Sequence, residues 1–255
     1  MKRLSVILAV LLLVSVAFTA SAEEKILLQY NPDPGTTTKY KMNIKGSTVV
    51  TASSSSQNQQ TNLETAMIIQ QKVTGKDKAG DIDMETRILE GKITVNGTPT
   101  TIPSVGEIIT VKMKKDGTII SRSGMDQGGM GNNQQVKFPT NPVGVGDSWT
   151  VKMEPNPEIP IPMETVYTVE AFEKVGGEDC VRLKSEVSTP KYNAGSINIE
   201  VKANGRIWFA YKKGYMLQNE VVSNMKMIML TDVGNNKSEK ITTVMKLSLK
   251  MGLAK

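Results

Sequence analysis

The sequence predicts a mainly β protein, folded as one large, curved, half-barrel-like antiparallel sheet of about a dozen strands with little helix. Segments of the 255-residue chain repeatedly alternate apolar and polar side chains, which is the period of a strand with one buried face. Hairpin turn signals such as Asn96-Gly97 and Asp116-Gly117 separate several of these segments. Strands that follow one another through hairpins pair antiparallel, and a large sheet of twisted strands curls.

Residues 1–22 have the composition of a secretory signal peptide and do not enter the fold prediction. Two basic residues precede an apolar run over 4–18, and small residues at 20–22 offer a cleavage site. The run is short for a membrane span of about 20 residues, so a retained anchor is the weaker alternative. We expect an exported protein, periplasmic or extracellular, with one β-rich domain over 23–255 and no stable membrane span after cleavage.

Charge and residue usage narrow the classes of function. The net charge of +6 falls to +4 when Lys2 and Arg3 are removed, because residues 1–22 contain no Asp or Glu. The charges are spread along the chain, so a nucleic-acid partner is not predicted. The chain has no His and one Cys, Cys180. This composition argues against catalysis by a Ser-His-Asp or Cys-His arrangement and against most kinds of zinc site. We therefore expect no enzymatic activity, no cofactor and no metal site.

A motif over 138–149 divides the exported chain into halves, 23–137 and 138–255, with similar patterns. The motif contains two prolines, two glycines and one of the two tryptophans. Each half contains a turn rich in Gly and acidic residues, at 75–81 and 176–179, that leads into an alternating segment. An internal duplication and two hairpins that follow the same local rules explain this similarity equally well.

Two stretches interrupt the strand pattern. Residues 53–60 are polar and of low complexity, which predicts a loop with nothing to bury. Residues 122–137 contain four glycines and paired Asn and Gln residues, and Gly at this density opposes a helix. We interpret the second stretch as a flexible connection or a lid, and the sequence does not decide between them.

The run Phe138-Pro139…Pro142-Val143…Gly146-Asp147-Ser148-Trp149 resembles a Pro-Val-x-x-Gly-Asp-x-Trp joint found in a family of exported bacterial β-rich proteins of uncharacterised function. Two more stretches, 111–120 and 205–216, are similar to that family. The shared motifs are turns and core residues, so the resemblance implies a fold and no assigned activity. In general plan the sheet is similar to the half-barrel of periplasmic lipoprotein carriers of the LolA/LolB type, which cradle acyl chains in an apolar concavity. That second likeness concerns the fold alone.

Two groups of side chains are candidate ligand-binding residues. Methionine is soft and adaptable, so a stripe of it can line a promiscuous apolar groove, and aromatic side chains can form the wall of a ligand site. The candidates are Trp149, Tyr167, Phe209, Tyr211, Met225, Met227 and Met229, with Met216, Met245 and Met251 on neighbouring segments. Ordinary core packing is the alternative for both groups, and copper(I) binding by thioethers is a weaker one.

The sequence favours a binding protein that holds a lipid or another apolar ligand in the concave face of its sheet. The alternative is a structural or interaction protein of the bacterial cell envelope with an envelope protein as partner and no small-molecule ligand. A deep apolar concavity favours the first function, and a closed core with exposed flat edges favours the second. The sequence places no second carboxylate at a spacing that would bring it next to Asp147, which argues against a catalytic role. We therefore interpret Asp147 as an acceptor of backbone N–H bonds that fixes a turn.

Overall fold

The structure is a computed structural model that describes eight stretches of the chain: 25–55, 58–102, 104–124, 135–155, 161–190, 192–194, 196–232 and 238–254. Within these stretches the regular structure is entirely β, with thirteen strands and no helix, which confirms the predicted fold class. The strands are β1 (Thr37–Ala52), β2 (Gln59–Lys76), β3 (Ile82–Val95), β4 (Thr98–Thr101), β5 (Ile108–Met113), β6 (Ile119–Ser123), β7 (Ser148–Met153), β8 (Met163–Val175), β9 (Glu178–Ser188), β10 (Tyr192–Ala194), β11 (Ile197–Ala210), β12 (Tyr215–Asp232) and β13 (Ser238–Leu253). The predicted signal peptide at 1–22 and residues 125–134 of the predicted connection lie outside the described residues.

All thirteen strands belong to one sheet with the order β6-β5-β3-β2-β1-β13-β12-β11-β9-β8-β7, while β4 pairs with β3 and β10 pairs with β11. Every pair of strands is antiparallel. The sheet is open, with β6 and β7 at its two edges. β1 and β13 pair at its centre, from Tyr40 opposite Leu253 to Ala52 opposite Ile241. The strands of residues 23–137 therefore lie on one side of this central pair and the strands of 138–255 on the other, although a duplication stays a prediction.

Cross-strand partners determine which side chains share a face, because directly opposed residues of a sheet point the same way. One row across β2, β1, β13, β12 and β11 consists of Met67, Met42, Met251, Asn219 and Ile207. This row belongs to the inner face, which carries the core. The neighbouring row on the outer face is polar and charged, with Asn43, Lys250, Glu220 and Arg206.

The sheet curls so that strands near both edges contribute to one core. The main cluster of buried apolar side chains includes Met113 of β5 and Val169 of β8, which lie near opposite edges. Leu28, Tyr30 and Phe138, from segments outside the sheet, belong to the same cluster. These three side chains fill the space that the curved sheet encloses, in agreement with the predicted half-barrel-like form.

Residues 135–147 bring the chain towards β7 at the edge opposite β6, and they pack against the N-terminal segment 25–31. Ile26 and Val143 form an isolated antiparallel bridge with two backbone hydrogen bonds of 2.9 Å. The backbone N–H of Phe138 donates to the carbonyl of Asp116 at 2.8 Å. The two segments therefore form a floor across the curled sheet.

Asp147 fixes the turn before β7, as the sequence predicts. Its carboxylate accepts a hydrogen bond from the backbone N–H of Gly144 at 3.0 Å and another from Lys25 Nζ at 2.9 Å. Gly146 in this turn has a φ of 86°, in the left-handed region that favours glycine. The Gly144 N–H and the Lys25 ammonium hold the pKa of Asp147 below its usual value.

Candidate functional site

A cavity of about 590 Å³ lies on the inner face of the sheet, on the side formed by β1, β2, β3, β5 and β6. Ligand pockets in proteins have volumes of roughly 300–1,000 Å³, so the cavity is large enough for a small molecule. Most of the lining side chains are apolar. Six of them are methionines, namely Met42, Met67, Met84, Met113, Met216 and Met251.

The cavity follows the direction of β2. Every second residue of this strand from Thr65 to Val73 lines it, as expected for one face of a strand. At about 3.3 Å per residue, this wall is about 26 Å long. The cavity therefore extends along β2, and we call this part of it the groove.

A polar row crosses this wall. Thr38 of β1 lies opposite Gln71 of β2, and Gln71 lies opposite Thr86 of β3. All three side chains are half-buried and line the cavity. Arg122 of β6, which lies opposite Val111 in the next row of the sheet, lines it as well. We call Thr38, Gln71, Thr86 and Arg122 the polar belt.

Two buried polar atoms of the lining residues have no hydrogen-bond partner among the described residues. They are Thr65 Oγ1, in a side chain that is 4% exposed, and Gln135 Oε1. A buried polar atom without a partner costs free energy, and most such atoms in proteins bond protein or ordered water. Thr65 and Gln135 are therefore positions where a polar group of a bound molecule can form a hydrogen bond.

Tyr40 closes the cavity on the side of the central strands. Its hydroxyl donates to the backbone carbonyl of Met216 at 2.8 Å, which ties β1 to the start of β12. Burial raises the pKa of Tyr40 to about 12, so the hydroxyl stays neutral near pH 7 and remains a donor.

The chain after β4 covers another part of the wall. The side chain of Ile102 lies over Gly91 of β3, where an added Cβ would overlap with it. Val105 bridges to Ile88, and the backbone N–H of Gly106 donates to the Ile88 carbonyl at 2.9 Å. Since Gly91 leaves room for Ile102, the absence of a side chain at this position shapes the cavity.

The four aromatic residues predicted from the sequence lie in the core or against it, and none of them lines the cavity. Phe209 and Tyr167 are buried members of the main cluster. Trp149 stacks on Tyr167 with 5.4 Å between ring centroids, and Tyr211 packs against the same cluster. Burial raises the pKa of Tyr167 to about 12.

The three predicted methionines lie on the inner face, but away from the cavity. Met225, Met227 and Met229 are half-buried, and they lie opposite Val201, Ile199 and Ile197 of β11. On β13 the partner of Met227 is Thr243, eight residues before the cavity residue Met251, which corresponds to about 26 Å along the strand. Two methionines noted on neighbouring segments, Met216 and Met251, do line the cavity.

The sequence analysis predicted the alternating segments 63–73 and 82–88 as strands but named no ligand-binding residue in them, and it therefore missed most of the cavity. A signal was present in these segments. Gln71 and Thr86, like Thr65, interrupt these largely apolar faces, and the register makes Gln71 and Thr86 direct neighbours. A polar residue in a strand face that is expected to be buried calls for a partner.

The described stretches of the chain were also compared with the requirements of a metal site and of a membrane-spanning helix. No group of three or more His, Cys, Asp or Glu side chains there could hold a metal ion. The same stretches contain no helix that is long and apolar enough to cross a membrane.

Comparison with known proteins gives a likeness of fold. No protein-family model matches the chain, and no curated protein matches it. The fold is similar to that of a solved structure of lipid–protein interactions in lipovitellin. The TM-score is 0.52 and the sequence identity is 10%, over 88% of this chain and 25% of the lipovitellin chain. This chain therefore spans about a quarter of the length of the lipovitellin chain. DynF from the dynemicin biosynthesis pathway of Micromonospora chersina has a TM-score of 0.24 and 10% identity over 91% of this chain and 86% of that chain, which is too low to support an argument.

Proposed function

We propose that this protein is an exported, non-enzymatic binding protein that holds a lipid or a similar apolar ligand in the cavity beside β2. The observation that carries the proposal is a cavity of about 590 Å³ lined mainly by apolar side chains, six of them methionines. Unbranched methionine side chains adapt to apolar groups of different shape. Each Å² of apolar surface that the ligand buries there contributes roughly 25 cal/mol.

The length of the groove supports a chain-like ligand. The lining residues of β2 extend from Thr65 to Val73, and this wall is about 26 Å long. The hydrocarbon core of a bilayer is about 30 Å thick, so the acyl chains of one leaflet occupy about 15 Å. The groove is therefore longer than an extended acyl chain of this kind and can hold all of it.

The fold likeness to lipovitellin adds support of a weaker kind. The lipovitellin structure concerns lipid–protein interactions, and its likeness covers most of this chain. At 10% identity the likeness is one of fold, so it makes a lipid ligand a reasonable first choice for a binding experiment. An extracytoplasmic location, which the sequence predicts, is compatible with such a ligand.

The experiment combines extraction with a variant that fills the groove. Protein purified in the folded state is extracted with organic solvent for mass spectrometry, and delipidated protein is titrated with a fluorescent fatty acid. Met67→Trp places a larger ring on the cavity wall and is expected to weaken uptake at least about tenfold, because overpacked sites reject additional groups. Ile68→Trp, on the outer face opposite Lys41, is the matched control and is expected to bind like the wild type.

Two results would contradict the proposal. One is a clean extract together with no uptake by the wild type, and the other is equal uptake by wild type and Met67→Trp. The first result makes the alternative from the sequence, an interaction protein of the cell envelope, the better hypothesis, whereas the second places the ligand outside the groove beside β2. Its first candidate surfaces are the sheet edges, β6 and β7.

A further inference from the structure

The cavity wall carries a cation on a largely apolar surface. Among the described residues that line the cavity, Arg122 is the one basic residue and Glu107 the one acidic residue. Arg122 is half-buried. No carboxylate of the described residues forms an ion pair with it. A guanidinium in such surroundings attracts an anion more strongly than one in bulk water.

Other polar residues of the same wall make it suitable for a head group, and β5 lies between them and Arg122. Thr38, Gln71 and Thr86 of the polar belt form a continuous row across three strands. Their hydroxyl and amide groups can donate and accept hydrogen bonds, while the Arg122 guanidinium matches the planar oxygens of a carboxylate or the oxygens of a phosphate. The belt thus offers one positive charge and several neutral hydrogen-bonding groups.

Glu107 does not neutralise this charge. It lies on the same face as Val111, the cross-strand partner of Arg122, and is four residues away along the chain, which corresponds to about 13 Å. Its side chain is exposed, so solvent and salt screen its repulsion of an anion bound at Arg122.

Beyond the polar belt, the wall formed by β2 is apolar as far as Thr65, whose hydroxyl is the next polar group on it. From Gln71 the lining residues of β2 continue through Ile69 and Met67 to Thr65. Gln71 and Thr65 are six residue steps apart, which corresponds to about 20 Å. One leaflet of acyl chains is about 15 Å thick, so this part of the groove accepts a long hydrocarbon chain.

We propose that the ligand is a single-chain anionic amphiphile, with its head group bonded to Arg122 at one end of the polar belt and its hydrocarbon chain lying along β2 towards Thr65. This inference rests on the proposed function and adds the chemical class and the orientation of the ligand. The anion is a carboxylate, as in a free fatty acid, or a phosphate monoester, since a guanidinium binds both.

The experiment measures the affinity of the delipidated full-length protein for ligands of equal chain length. Hexadecanoate and hexadecyl phosphate are anionic, whereas hexadecanol and methyl hexadecanoate are neutral. We expect the wild type to bind at least one of the two anions about tenfold more tightly than hexadecanol, the lower end of the effect of a hydrogen bond to a charged group. The preferred anion identifies the head group.

Arg122→Gln removes the charge and keeps a hydrogen-bonding side chain. It is expected to abolish the preference for the anion and to leave hexadecanol binding unchanged within about twofold. Arg87→Gln is the matched control, because Arg87 is an exposed residue of β3 that lies opposite Gln70 outside the cavity. It is expected to keep the preference of the wild type.

Each remaining outcome overturns a defined part of the interpretation. If hexadecanol binds as tightly as both anions, or if Arg122→Gln keeps the preference, the head-group assignment is wrong and the apolar cavity remains the proposed binding site. If none of the four compounds binds, the proposed function fails and the head-group assignment fails with it. Thermal unfolding of Arg122→Gln establishes that its binding is measured on folded protein.

Discussion

The hydroxyl of Tyr30 accepts a hydrogen bond from the backbone N–H of Val136, with 2.9 Å between nitrogen and oxygen. Tyr30 belongs to the N-terminal segment and Val136 to the segment that leads to β7. Both residues are buried, at 7% and 1% exposure. The Tyr30 ring also lies 5.2 Å from both Phe138 and Phe209 between centroids. This one side chain therefore joins the two floor segments to each other and to the core of the sheet.

Tyr30→Phe is expected to lower the free energy of unfolding by about 1–3 kcal/mol, because it leaves the buried Val136 N–H without its partner. Urea denaturation at pH 7 measures the change. Tyr211→Phe is the control, since the Tyr211 ring is half-buried and its hydroxyl forms no hydrogen bond with a described residue, and we expect a change within about 0.5 kcal/mol. Equal effects of the two variants would show that the hydrogen bond adds nothing to the floor.

Gly91→Ala is expected to push the Ile102 side chain out of its place on the wall, because an added Cβ would overlap with it. Overpacking of this kind costs about 1–3 kcal/mol, and we expect weaker uptake of a fluorescent fatty acid as well. The control is Gly46→Ala on the inner face of β1, where an added Cβ would lie 3.6 Å or more from its neighbours, in ordinary contact. If both variants bind and unfold like the wild type, Ile102 does not shape the cavity.

Met67→Asp and Met227→Asp distinguish the cavity from the methionine stripe predicted from the sequence. Both residues are half-buried on the inner face, but only Met67 lines the cavity. A bound hydrocarbon chain would cover the carboxylate of Met67→Asp, and burying an unpaired charge costs free energy. Met67→Asp should therefore weaken fatty-acid binding at least about tenfold. Met227→Asp should bind within about twofold of wild type. The reverse order of affinities would move the ligand to the stripe of β12.

The contribution of Asp147 to stability is expected to depend on pH. Its pKa in the folded protein is lowered from 3.8 by the Gly144 N–H and by Lys25. A group with a depressed pKa stabilises the fold fully above its unfolded pKa and loses that contribution as the pH falls through the folded value. Wild type should therefore be more stable than Asp147→Asn at pH 7, and the difference should shrink as the pH is lowered from about 4 towards 2. Urea midpoints of the two proteins across this range measure it, and a difference that does not vary with pH would contradict the assignment.

The sequence predicted the strands well because their causes are local. Alternation over 63–73 identified the inner face of β2, and the Gly-Asp motif before Trp149 identified a turn that Asp147 fixes. The cavity could not be predicted in this way. Whether Met67 faces a packed core or an open groove depends on the curl of a sheet whose edges are far apart in sequence, and alternation is the same in both cases.

The position of Arg122 illustrates a second limit of sequence reasoning. Its Gly-rich surroundings led to the prediction of a flexible connection or a lid over 122–137, but β6 continues through Ser123. Its place on the cavity wall follows from its pairing with Val111, and cross-strand register is a tertiary property that a short edge strand hardly encodes. The pairing of β1 with β13 is likewise a long-range contact, and no hairpin signal in the sequence predicts it.

The central pairing of β1 with β13 has a consequence for the order in which the molecule assembles. A chain emerges from synthesis or export with one end first, so β1 is present long before residues 238–253 can reach it. Until then the edge of β1 that faces away from β2 exposes unpaired backbone groups, which are prone to pair with other chains. Contacts between such distant segments also form slowly. We therefore expect the joining of the two sides of the sheet to be a late folding step, during which that edge is open to pairing with other chains.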